Sequence, residues 1–225
     1  MDKETIKYVI TILIQRGLGV LFYLFGAGWL MNSRATVYFI SYVSVAAISL
    51  LIMVFVNAET LRERNKKNTD SPMWDKVLLG LFWLLAYFVI YLIAGIESDH
   101  VTESIGFSFW LGMIVSLISA AISLWALIVN TFLESTARIQ KDRGQTVCQT
   151  GPYKIVRHPT YLALIIWCIS IGLVFPTLGV MVCAITIAVI IVIRTYLEDK
   201  MLVNGLSGYT DYAAKVKYRL VPYVW

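Results

Sequence analysis

The 35 residues from Pro159 to Ile193 contain no charged side chain. As a single helix this run would extend roughly 50 Å, well beyond a bilayer hydrocarbon core of about 30 Å. Pro176, in the segment VFPTLG, supplies a break. Proline removes a helix hydrogen bond and biases the residue before it away from helical geometry. The run is therefore expected to fold as two short helices joined near Pro176, so that the chain returns to the membrane face it left.

Four more apolar runs precede it, at about Tyr8 to Met31, Ala35 to Ala58, Val77 to Ile96 and Ile105 to Leu133. Arg16 interrupts the first, so either its side chain snorkels to the interface or the span begins near Gly17. Only 15% of the residues are charged, 59% are hydrophobic and the mean hydropathy is +0.74. A soluble domain carries roughly 25% charged residues. The expected fold is all-α, a polytopic membrane helical bundle of about six transmembrane helices ending in a helical hairpin. Its length suits one integral membrane domain over 1–225, with a four-helix scaffold in 1–133 followed by a polar loop, the hairpin and a tail in 134–225. No small-residue cleavage site follows the first run, so a cleavable signal peptide is not expected.

The net charge of +5 invites a nucleic-acid partner, but the basic residues sit in short loops between apolar runs. They gather at Lys3 and Lys7, at Arg62, Arg64, Lys66, Lys67 and Lys76, at Arg138 to Arg157, and from Arg194 to Arg219, whereas the intervening loops hold Arg34 or nothing. Six spans with both termini and the Arg138–Tyr161 loop in the cytoplasm reproduce this alternation, and five would place the tail opposite that loop. Trp29, Trp74 and Trp110 fall near span ends, where interfacial anchors belong. Cys148, Cys168 and Cys183 lack ligand spacing and there are two histidines, so no metal is expected. An ion pathway would normally show charges deep in several spans, and only the first has one.

Chemistry-bearing residues cluster in two places. The polar loop puts Arg157 and His158 directly before Pro159, and the last apolar helix ends in RTYLED, with Arg194, Glu198 and Asp199. Taken singly, these have ordinary readings. His158-Pro159 is a helix start, Tyr153 and Tyr161 are interfacial aromatics, and Arg194 and Glu198, four apart on one face, are an ion pair. The hairpin changes this, because its two ends bring His158 beside Glu198. A site for a charged ligand results, with the ligand left open.

GPYKIVRHPTYLA, then RTYLEDKML, then GYTDYAAKVKYRLVPYVW together resemble the isoprenylcysteine carboxyl methyltransferase and phospholipid methyltransferase superfamily over about residues 134–225. Asp199 stands where the eukaryotic carboxyl methyltransferases usually have glutamate, and Ala163 replaces a frequent glycine. The resemblance implies an S-adenosylmethionine site built without a Rossmann domain. Gln140, Gln145, Thr146, Val147, Cys148, Tyr153, His158, Pro159, Thr160, Tyr161 and Glu198 match its cofactor contacts. Arg194 matches its substrate-binding position, so Arg194 and Glu198 are the candidate catalytic pair. The cofactor's carboxylate would be met by His158 or by backbone N–H groups at the start of the fifth helix. The implied partners are a lipid-like or prenylated acceptor and the membrane, with no nucleic acid. Isoprenylcysteine-type carboxyl methylation is the leading expectation. Phospholipid amine methylation, an NADPH-dependent reduction of the sterol-reductase kind and a non-enzymatic membrane protein are the alternatives.

Overall fold

The computed structural model describes residues 3–66, 70–100 and 105–225. Lys67 and residues 101–104, in the loop without Lys or Arg that follows the third apolar run, lie outside the described residues. The described residues form eight helices and no strand: α1 (Lys3–Gly26), α2 (Ser33–Val56), α3 (Ala58–Asn65), α4 (Met73–Ile96), α5 (Phe107–Val129), α6 (Pro159–Val174), α7 (Leu178–Gly205) and α8 (Tyr209–Lys215). The fold is the expected polytopic helical bundle.

Five of these helices, α1, α2, α4, α5 and α7, are long and apolar enough to cross a membrane. The expected sixth, α6, has 16 residues, about 24 Å of helix. The hairpin breaks where Pro176 requires, between Val174 and Leu178. Its second arm is not short, however. α7 runs for 28 residues because nothing in RTYLEDKMLVNG stops a helix before Gly205. α1 begins and ends about five residues earlier than expected, since the backbone turns left-handed at Gly28 (φ 60°) and Trp29 (φ 65°).

Lipid tails are as apolar as leucine, so close packing and interhelical hydrogen bonds must hold such helices together. α5 and α6 share the most extensive contact. Along it, Ser108 donates to the Leu173 carbonyl at 2.9 Å, Ser119 to Ala163 at 2.6 Å, and Ser170 to Gly112 at 2.9 Å. α1 and α4 cross at Gly26 and Gly95, where an added Cβ would stand 2.3 Å from the Leu92 oxygen and 2.2 Å from the Tyr23 oxygen. The core between the helices is aromatic, with Tyr23, Tyr38, Phe39, Tyr91 and Phe175 all buried. Cys168 and Cys183 are buried in the same core.

The two ends of the bundle differ in chemistry. At one end Asn65 donates to Glu4 at 2.6 Å and Arg64 to the Tyr8 hydroxyl at 2.8 Å, while Arg143 pairs with Glu59 at 2.9 Å. The N-terminus, α3 and the loop after α5 thus meet there. At the other end Glu97 accepts from the Gly179 N–H at 3.1 Å, at the positive start of α7. Arg34 is also found there, but not as a loop charge. It lies in the first turn of α2, 3% exposed, and donates to the Val174 carbonyl at 2.7 Å, where the C-terminus of α6 attracts a cation.

Candidate active site

The start of α6 and the polar extension of α7 meet at Asp199, which is 1% exposed. Arg157 grips it with two bonds of 2.8 and 3.0 Å, Arg219 at 2.7 Å, the Tyr209 hydroxyl at 2.9 Å and His158 Nε2 at 3.1 Å. A carboxylate buried this deeply is tolerable only with its lone pairs filled. Asp199, whose role the sequence left undecided, therefore clasps α6, α7, α8 and the tail together. Arg157 also donates to the carbonyls of Val216 and Lys217 at 2.8 and 2.9 Å.

This clasp revises the expectation that His158 or the backbone at the start of the helix receives an anion. His158 Nε2 is turned to Asp199 and Tyr209, and the ring stacks on Tyr161 with centroids 5.7 Å apart. The Arg157 and His158 N–H groups donate to Tyr218 and Arg219, while those of Tyr161 and Leu162 return to the His158 carbonyl. The tail lies along this segment and occupies the Arg157 and His158 N–H groups.

Arg194 and Glu198 share a helix face, yet they do not form the ion pair that their spacing suggests. Arg194 Nε binds Asp75 at 2.8 Å, its Nη2 donates to the Ser135 carbonyl at 2.6 Å, and its guanidinium lies 5.4 Å from the Tyr161 ring centre. Asp75, in the first turn of α4 and 0% exposed, also accepts from the Ala137 N–H at 2.8 Å. The pair thereby ties the loop to two helices. Glu198 is left to accept a hydrogen bond from the Tyr161 hydroxyl.

The loop before α6 is braced internally. Gln140 is buried, with its amide nitrogen donating to the Phe132 carbonyl at 2.6 Å and its oxygen accepting from Arg143 at 2.7 Å. Gln145 accepts from the Gln140 N–H at 2.8 Å, closing a turn through the left-handed Gly144. Arg138 is held by Glu134 at 2.8 Å and by Asp142 at 2.7 Å, and these bonds raise its already high pKa. Cys148 approaches the Val129 carbonyl at 3.5 Å. The Tyr153 hydroxyl accepts from Asn130 at 3.0 Å, and the Tyr212 hydroxyl donates to the Tyr153 carbonyl at 2.7 Å. Burial pushes the Tyr153 and Tyr209 hydroxyls well above the usual tyrosine range, Tyr209 further because of the Asp199 charge. Both therefore stay protonated.

One cavity of about 400 Å³ collects these residues. Thr146 and Val147 reach it from the loop, Thr160 and Tyr161 from α6, and Arg194 and Glu198 from α7. Every candidate site residue lines it except Pro159, which is buried as the first residue of α6. The cavity does not stop at the loop. It continues between α1, α2, α4 and α5 past Arg16, Tyr42, Tyr87 and Ser123.

Residues 110–204 match the sequence model of the isoprenylcysteine carboxyl methyltransferase (ICMT) family. Across that segment the chain is ICMT-like. The ICMT-like segment comprises nearly all of α5, the braced loop, α6 and α7, and so supplies both ends of the hairpin. It indicates a membrane methyltransferase. α1 to α4 lie outside the match, although they wall the far part of the cavity. No curated protein matches the chain.

Sequence reading missed Asp75, Arg16 and Arg64 as parts of this site. Asp75 had one signal, being an acid separated only by Lys76 from an uncharged run, and that position is a common and unremarkable one. Arg16 was visible as an interruption of α1. Snorkelling assumes a side chain that faces lipid, and this one faces the bundle.

Proposed function

We propose that this chain is an S-adenosylmethionine-dependent methyltransferase acting on a lipid-like acceptor, with carboxyl O-methylation as the reaction. The observation that carries this reading is the single cavity joining Glu198 and the Gln145–Cys148 loop to the interior of the membrane bundle. The chain's residues suit the cofactor. Glu198 presents a carboxylate to the cavity with Tyr161 as its hydrogen-bond partner, which fits a ligand carrying a sulfonium and an ammonium. The loop from Gln145 to Cys148, with Gln140, Tyr153, His158, Thr160 and Tyr161, would enclose the remainder. Pro159 would set the helix start without touching the ligand.

When bound, S-adenosylmethionine supplies an electrophilic methyl group. The chain's part is to hold the acceptor in line and to exclude water, since positioning accounts for much of such a rate enhancement. Arg194 has its Nε and Nη2 committed to Asp75 and Ser135, which fixes the guanidinium and leaves Nη1 for the acceptor. A carboxylate acceptor, with an ordinary pKa of about 4, arrives ionised and needs no base. An amine acceptor would have to lose a proton first. The arginines at the cavity wall favour the anionic acceptor. A nicotinamide-dependent reductase has no comparable support beside the family match.

The end of the bundle that gathers Lys and Arg is assigned to the cytoplasm by the positive-inside rule, together with both termini and the cofactor loop. The whole chain is taken as one membrane domain. Calorimetry with S-adenosylmethionine and S-adenosylhomocysteine on protein in lipid nanodiscs tests the reading. Saturable one-to-one binding is expected, and its absence would overturn the proposal.

A further inference from the structure

Arg16 lies 13 residues from the start of α1 and 10 from its end, about 20 Å and 15 Å along the axis. A charge at that depth is expensive and calls for a partner. Its guanidinium packs 4.4 Å from the Tyr42 ring centre and 5.4 Å from that of Tyr87. The groups that act on its charge are the tyrosines 42, 87 and 91, and none of the ion pairs among the described residues includes it. Ring faces attract the cation but do not accept the in-plane N–H donors of a guanidinium. Arg16 Nε is buried without a hydrogen-bond partner, and Tyr42 is the nearest side chain to which its guanidinium can turn.

Two further features occur at the same place. α4 contains a π-helical turn at Leu85–Val89, which includes Tyr87. Such turns occur frequently at functional sites. Arg64 reaches the cavity from α3, bonded to the Tyr8 hydroxyl at 2.8 Å and the Leu133 carbonyl at 3.1 Å, with no carboxylate partner among those ion pairs and with the Arg194 charge also acting on it. Tyr87 is near both guanidinium charges. The other cavity arginines differ, because Arg194 has Asp75, Arg138 has Glu134 and Arg157 has Asp199. Positive charge is therefore in excess in the arm between α1, α2, α3 and α4, which Ser41, Ser49 and Ser123 also line. A plain hydrocarbon tail would have no use for these groups.

We infer that this arm is an anion subsite, in which Arg16 and Arg64 hold a phosphate or carboxylate carried by an amphiphile. The amphiphile is the methyl acceptor if the methyltransferase reading holds, and it then bears this anionic group in addition to the atom methylated near Arg194. The subsite thus narrows the acceptor from any lipid to one with a second, negatively charged oxygen group that enters the bundle. Charge-assisted hydrogen bonds to a buried guanidinium are among the strong ones.

The test uses the full chain in a neutral detergent and follows the fluorescence of Trp83 and Trp167, which line the cavity. Dodecyl phosphate, laurate and dodecanol are titrated in parallel, and S-adenosylhomocysteine binding is measured on the same samples. At least one anionic probe is expected to bind about tenfold to a hundredfold tighter than the alcohol. Whichever anion is preferred separates phosphate from carboxylate chemistry. Arg16→Met and Arg16→Gln should abolish the preference, Arg64→Met should reduce it, and Arg16→Lys should retain most of it. Should the uncharged Arg16 variants not fold, Arg64→Met and Tyr42→Phe carry the test, each lowering the preference severalfold. Equal binding of anion and alcohol, or a preference untouched by these substitutions, overturns the subsite. Anion preference without S-adenosylhomocysteine binding would leave the subsite standing and remove the methyltransferase reading, and the reverse pattern would remove the subsite alone.

Discussion

Arg194 and Asp75 are 119 positions apart in the chain and meet at 2.8 Å, buried, beside the loop that lines the cavity. The bond joins the end of the hairpin to the start of α4. Because Asp75 also takes the Ala137 N–H and Arg194 the Ser135 carbonyl, one ion pair sets the position of that loop.

Asp75→Asn should therefore act on stability and on ligand binding together, although Asp75 is not on the cavity wall. Breaking a buried pair by removing one partner costs about 3 kcal/mol or more. Thermal unfolding in detergent and S-adenosylhomocysteine calorimetry check this. A variant with unchanged melting and unchanged affinity would show that the pair does not hold the loop.

Arg194→Met should lose both properties as well, rather than turnover alone, because it leaves Asp75 charged and unpaired. The Asp75→Asn/Arg194→Met double variant should be less destabilised than the sum of the singles, by about 1–3 kcal/mol, since neither charge is then stranded. A double-mutant cycle on unfolding midpoints measures the coupling, and strict additivity would contradict it.

Glu198→Gln is expected to weaken S-adenosylhomocysteine binding about tenfold or more with little change in melting, because its carboxylate stands at the cavity with one hydrogen-bond partner. Tyr161→Phe should have a smaller effect. Equal affinity in wild type and Glu198→Gln would remove this carboxylate from the cofactor site.

Asp199→Ala should release the tail. The substitution strands Arg157 and frees Arg219, both of which converge on this carboxylate. Limited proteolysis near residues 216–225 should accelerate strongly, and melting should fall sharply. Unchanged protease resistance would argue against the clasp.

Gly95→Ala puts a Cβ 2.2 Å from the Tyr23 carbonyl oxygen, so α1 and α4 must separate. A loss of about 1–3 kcal/mol is expected from overpacking. Gly17→Ala, where a Cβ meets nothing within 4 Å, should be neutral or slightly stabilising. Melting curves of the two variants provide the comparison.

Much of this protein followed from the sequence alone. Apolar runs set the order of the long helices, Pro176 set the break of the hairpin, and the hairpin brought the His158 and Glu198 ends together. Local rules suffice there, because a proline acts on its own turn and a bilayer selects by length. The partners of the charged residues were another matter. Spacing offers Glu198 to Arg194, which takes Asp75 instead, and Arg16, for which the sequence allows either snorkelling or a span that begins after it, turns inward to Tyr42 and Tyr87. A helix that is apolar on every face carries no stripe to say which side is buried. Its rotation is fixed by what it packs against, here the glycine crossing of α1 with α4 and the serine bonds between α5 and α6. Which charges meet, and what the cavity presents at its far end, were decided by that tertiary packing.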